Sequence, residues 1–154
     1  MEIITYSENY RETVNQLMHN IMVDEFGFHQ FSNNILACSN LEYLEGNNRL
    51  WIATDNNEII GTIGIIEKNS NHAIIKKLYV KESHRGTGLA KKLLDLCIDY
   101  ANTLGYDYIY LETYDRLKRA NSFYAKHGFE KYHDGYDKPQ GDEVQYKLKL
   151  KWES

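Results

Sequence analysis

The sequence predicts a mixed α/β fold: a mostly antiparallel sheet of about seven strands with one parallel joint, in a single domain over residues 1–154. Three observations lead there. Three strand-like runs at 50–54, 59–67 and 74–80 are separated only by short polar turns, Asp55-Asn56-Asn57-Glu58 and Asn69-Ser70-Asn71. That is the pattern of an antiparallel meander. A long amphipathic stretch then separates the third run from a further strand at 108–113. Strand–helix–strand requires a parallel, right-handed crossover. Finally, 42% of the 154 residues are hydrophobic, and only Pro139 breaks the chain as a proline. One ordinary core is expected, with no linker.

The elements follow in order. Residues 2–5 form a short strand. Ser7 is placed to cap a helix whose apolar positions are Val14, Leu17, Met18, Ile21 and Met22. Their spacing marks one buried face. Gly27 ends that helix. Residues 39–44 read as a short helix stopped by Gly46, with a loop or weak helix before it. After the meander, the long helix from about 88 to 104 turns Leu89, Ala90, Leu93, Leu94, Cys97, Ile98, Ala101 and Leu104 inward, and Gly105 stops it. Asp115 is placed to cap a second helix carrying Leu117, Ala120, Phe123 and Tyr124, ended by Gly128. Strands at 129–132 and 144–150 close the chain around the polar loop 133–143.

Composition excludes several functions. Net charge is −4 without a basic run, so the chain is not built to track nucleic acid. No apolar stretch approaches the ~18 residues of a membrane span. Residues 1–10 lack a basic-then-apolar leader, which makes a cytoplasmic protein the expectation. Cys38 and Cys97 have no metal-ligand spacing, so no metal is expected, and Cys97 reads as a small buried hydrophobe. The last strand, VQYKLKL, offers an edge on which a homodimer could pair.

The chemistry centres on Arg85, Gly86, Thr87, Gly88, Leu89 and Ala90, a glycine turn between a strand and a helix start. Glycines let a ligand approach the backbone, and unpaired N–H groups at a helix start favour phosphate. A P-loop needs Gly-Lys-Ser/Thr, which is missing. A dinucleotide fingerprint needs a third glycine or alanine where Lys91 stands, and it does not follow a meander. The remaining pattern is R-x-x-G-x-A, filled by Arg85, Gly88 and Ala90.

With the strand Leu78-Tyr79-Val80 before it and Tyr124-x-x-x-Gly128-Phe129 after it, this pattern resembles the GNAT superfamily of acyl-CoA-dependent N-acetyltransferases, from roughly residue 50 to the end. The resemblance implies helices on both faces of the sheet and a parallel strand pair that starts together and splays. It implies acetyl-CoA as acyl donor. The pantetheine arm would pair with the main chain of Leu78, Tyr79 and Val80. The amides of Arg85, Gly86, Thr87, Gly88, Leu89 and Ala90 would take the pyrophosphate, with Lys91 near the phosphates. Many family members carry an asparagine seven residues before the helical tyrosine. Leu117 stands there in this chain, and Asn121, a turn later, is the substitute.

Acyl transfer to an amine needs an unprotonated amine, a donor for the oxyanion and an acid for the leaving thiolate. Tyr124 is the acid candidate, and a backbone N–H of Val80 or Leu78 the oxyanion donor. Glu112, on the strand at the splay, is the candidate base, a water chain being the alternative. Asp24 and Glu25 end the first helix near where substrates would enter. The implied activity is N-acetyl transfer to a primary amine of a small molecule or protein. The alternative is an acyl-CoA-binding regulatory module without turnover.

Overall fold

The computed structural model of the chain describes residues 1–132 and 141–150. Its strands are β1 (Glu2–Thr5), β2 (Arg49–Asp55), β3 (Glu58–Glu67), β4 (His72–Val80), β5 (Tyr108–Tyr114), β6 (Glu130–Lys131) and β7 (Glu143–Lys149). They form one sheet in the order β1-β2-β3-β4-β5-β7-β6. The α-helices are α1 (Arg11–His19), α2 (Ser32–Leu36), α3 (Leu89–Leu104) and α4 (Lys118–Lys126). Among the described residues β4 and β5 pair in parallel, and the β1–β2, β2–β3, β5–β7 and β6–β7 pairs are antiparallel. The predicted mixed sheet with one parallel joint is therefore what forms. Among the described residues no helix is long and apolar enough to cross a membrane.

Packing groups the chain into two compact units. One comprises Met1–Ile66 with Lys77–Cys97; the other comprises Glu67–Lys76 with the described residues from Ile98 onward.

In the first unit, Leu50, Ile52, Ile60, Ile63 and Ile65 of the β2–β3 hairpin are fully buried. The hairpin closes through Asn56 and Asn57, both left-handed (φ +50° and +64°), as a two-residue turn of matching twist requires. Gly61 lies under α3: a Cβ there would stand 3.2 Å from Leu89 Cδ2, Leu93 Cδ1 and the Tyr79 carbonyl oxygen. This glycine sets how closely the first turn of α3 meets the sheet.

The first helix departs from its expected form. Regular α-helix ends at His19, and a wider π turn, Asn20–Glu25, continues it. The π turn buries Ile21, Met22 and Val23 before Gly27 (φ +76°) ends the segment. Ser7 makes no capping bond; it precedes a 3-10 turn, Glu8–Tyr10. The helix expected at 39–44 is a 3-10 turn, Leu41–Leu44, entered through left-handed Asn40.

In the second unit, parallel partners run from His72↔Tyr108 to Ile75↔Leu111. Strand β7 pairs with β5 along its whole length, from Tyr108↔Lys149 to Tyr114↔Glu143. Alternation puts Ile109, Leu111 and Thr113 on one face with Leu148, Tyr146 and Val144, and Glu112 with Gln145 on the other. Asp115 does not cap α4. It pairs with Lys118 at 3.1 Å, and the residue entering the helix is Leu117, with no side-chain cap.

Replacing Gly61 by valine forces branched carbon against a backbone oxygen that cannot yield. The expected loss is about 1–3 kcal/mol of unfolding free energy, read as a lower denaturant midpoint with unchanged slope.

Candidate active site

The first unit holds the glycine turn. Beyond Val80 a 3-10 turn, Glu82–His84, brings the His84 amide to Lys81 O (2.9 Å) and the Arg85 amide to Glu82 O (3.2 Å). Gly86 and Gly88 then take φ +77° and +86°, with nothing within 4 Å of where a Cβ would stand. Glycine is needed here for conformation, and the space beside it is open. The Thr87 hydroxyl donates to His84 O at 2.6 Å and pins the turn. The first bond of α3 runs from Lys92 N–H to Gly88 O, 3.0 Å. The N–H groups of Leu89, Ala90 and Lys91 precede it, at the positive end of the helix dipole. Exposed glycines, open space and unspent donors suit a diphosphate.

Arg85 has a different task from the one expected. Its amide is spent in the turn and its side chain is engaged twice. Nε donates to Val80 O at 3.0 Å. Both terminal nitrogens donate to the Glu25 carboxylate, the Nη2–Oε2 bond measuring 2.8 Å. The ring of Phe26 lies 5.8 Å from Cζ. The bond to Glu25 holds the guanidinium pKa above its ordinary value. Arg85 thus ties the end of the π turn to the end of β4, and Glu25 is a structural partner in this arrangement. The side chains are only 18% and 25% exposed, so the pair is shielded from much of the screening that weakens surface ion pairs.

The other donor-side residues are placed as follows. Leu78, Tyr79 and Val80 are half-buried in β4, where the Val80 carbonyl is taken by Arg85. Lys91 points along the exposed face of α3 and pairs with Asp95 at 2.7 Å. His84 bridges Asp55 (3.2 Å) and Ser83 (2.9 Å).

The second unit holds Tyr124, Asn121 and Glu112. Tyr124 is buried, with ring centroids 5.7 Å from Phe123, 5.8 Å from Phe129 and 5.9 Å from Tyr146. The amide of Asn121 is committed locally. It donates to Tyr114 O (2.9 Å) and Leu117 O (2.8 Å) and accepts from the Tyr146 hydroxyl (2.6 Å). These bonds lock the first turn of α4 to β5 and β7. Glu112 is exposed, on the sheet face opposite Leu111 and Tyr146. Tyr124 packs on the Tyr146 side, so β5 does not bring Glu112 and Tyr124 together.

A profile described as the acetyltransferase (GNAT) family matches residues 14–129. The chain belongs to the GNAT acetyltransferase family. A GNAT-family acetyltransferase from Staphylococcus aureus Mu50 superposes with a TM-score of 0.84 at 30% identity, over 97% of this chain and 99% of its own. The PaiA N-acetyltransferase of Thermoplasma acidophilum, solved with coenzyme A, shares the fold (TM-score 0.79, 18% identity, 96% and 98% covered). Among curated relatives, the uncharacterized N-acetyltransferase YjgM of Escherichia coli K12 is 33% identical over 57% of this chain and 54% of its own length. Rat N-acetyltransferase 8F1 is 28% identical over 58% and 42%. The chain spans about half the length of the curated relatives it matches.

Glu25→Gln, Arg85→Met and the double variant form a cycle on the Glu25–Arg85 pair. The expected coupling is about 1–2 kcal/mol, measured by denaturant unfolding.

Proposed function

We propose that the protein transfers an acetyl group from acetyl-CoA to a primary amine of a small molecule or protein, by direct attack of the amine on the thioester. The observation that carries this reading is the donor cradle: open glycines and unspent amides at the start of α3, directly after a strand that outruns its parallel partner. Family membership supports the same donor, and so does the coenzyme A bound to the PaiA relative.

In this reading the main chain of Leu78, Tyr79 and Val80 orders the amide-bearing arm of the donor. The amides from Gly86 to Lys91 hold its pyrophosphate. A backbone N–H of β4 stabilises the oxyanion, and Tyr124 protonates the leaving thiolate. Burial among three aromatic rings gives Tyr124 one orientation, as a proton donor needs. Glu112, exposed on the other face, takes the amine proton only through solvent.

The test is Tyr124→Phe. Coenzyme A affinity by calorimetry stays within about twofold, while turnover, followed as released thiol over an amine panel, falls about a hundredfold. Unchanged turnover removes Tyr124 from the mechanism. Coenzyme A binding by the unaltered protein with no turnover on any amine leaves a binding module.

A further inference from the structure

Strand β4 carries a strained residue in its middle. Lys77 has φ +59°, a conformation in which a side chain crowds its own backbone. Among the described residues, the other non-glycine positions with positive φ are Asn40, Asn56 and Asn57, of the type that tolerates it. Lysine does not, so something must hold it.

Two sets of contacts do. From β3, the fully buried Thr62 hydroxyl donates to Lys77 O at 2.6 Å. From the other end, Lys77 Nζ donates to Asn40 Oδ1. It also lies 3.3 Å from Cys38 Sγ and 5.1 Å from the centre of the Tyr43 ring. Asn40 is itself 1% exposed and engaged through both its amide oxygen and nitrogen: Oδ1 also accepts from Cys38 Sγ at 3.1 Å, and Nδ2 donates to Asn15 Oδ1 at 2.9 Å. Asn15 Nδ2 in turn donates to Cys38 O at 2.7 Å. A continuous path of hydrogen bonds therefore runs from α1 through Asn15 and Asn40 to the lysine.

We propose that this clasp makes Lys77 a positioning residue for the acyl donor; the proposal rests on the acyl-CoA reading above. A single left-handed residue in a strand acts as a bulge. It resets which edge the following N–H and C=O groups face. The following residues are Leu78, Tyr79 and Val80, whose main chain is assigned to the pantetheine arm. Asn40 and Thr62 hold the turn at Lys77, and the turn aims those three residues. Lys77 itself touches no reacting atom.

The test separates the amine from the backbone conformation it enforces. Lys77→Met keeps the stem and the strain but loses the clasp; Lys77→Gly loses the clasp and the strain together. The readout is the Kd for coenzyme A by calorimetry, well below each variant's Tm. Lys77→Met is expected to weaken binding about tenfold, which is about 1.4 kcal/mol. Lys77→Gly is expected to recover most of that loss. Asn40→Ala weakens binding in the native background and adds nothing in the Lys77→Gly background. This last comparison decides the matter even where Lys77→Met fails to fold. Equal losses in the glycine and methionine variants, or an additive Asn40→Ala effect, overturn the proposal while leaving acyl-CoA binding intact. Absence of coenzyme A binding by the unaltered protein overturns both.

Discussion

A strand that outruns its parallel partner must place its backbone polar groups elsewhere, and much of this molecule follows from that constraint. The β4–β5 register ends at Ile75↔Leu111, but β4 continues to Val80. On the β3 side, Thr62 satisfies Lys77 O, and Ile60 O accepts from Lys81 N–H at 2.8 Å. At the far end, Arg85 Nε satisfies Val80 O. An extended amide chain such as pantetheine presents the groups that the other edge of a strand requires. Under the proposed function, the donor would be recognised by the same backbone hydrogen bonding that builds the sheet, which is a form of strand addition.

The electrostatics of the cradle are dipolar. Arg85, the cation within the turn, is neutralised by Glu25, and Lys91 by Asp95. Under the proposed function, the phosphates would meet a row of amide N–H groups at a helix start, fixed by Gly86, Gly88 and the Thr87 hydroxyl. A flexible lysine contributes charge but no fixed direction. Backbone donors contribute both, and they cost no side-chain ordering when the ligand arrives. This suits a chain whose net charge is −4, in which long-range attraction of an anion is weak.

Much of the fold was legible because it rests on periodicity. The meander, the long helix and the glycine turn each follow from a local pattern, and the strand–helix–strand order alone predicts the parallel joint. Local patterns misled at the caps. Ser7 and Asp115 are good capping residues by type, yet Asp115 is drawn to Lys118 and neither caps. Long-range polar pairing was beyond reach. Nothing in the sequence relates Glu25 to Arg85, 60 positions apart, or Asn40 to Lys77. Asn121 was expected to substitute for the asparagine that many family members carry where Leu117 stands. Its bonds to two carbonyls and a tyrosine hydroxyl close by had no signal in the sequence. Lys77 left no signal at all, since a lysine in a strand run gives no hint of a left-handed backbone.

The residues around Tyr124 show how packing gives its ring a fixed place. Gly128, at φ +90°, turns the chain so that Phe129 N–H returns to Tyr124 O at 3.0 Å. That places the Phe129 ring edge-on against Tyr124, with Tyr146 on another side. Tyr146 is held by its own bond to Asn121, which also ties α4 to the end of β5. Each ring is oriented by a backbone or amide bond, and the rings together orient the phenol. The Tyr-x-x-x-Gly-Phe spacing is therefore a packing requirement: the glycine supplies the reversal, and the phenylalanine the wall against which the tyrosine ring is set.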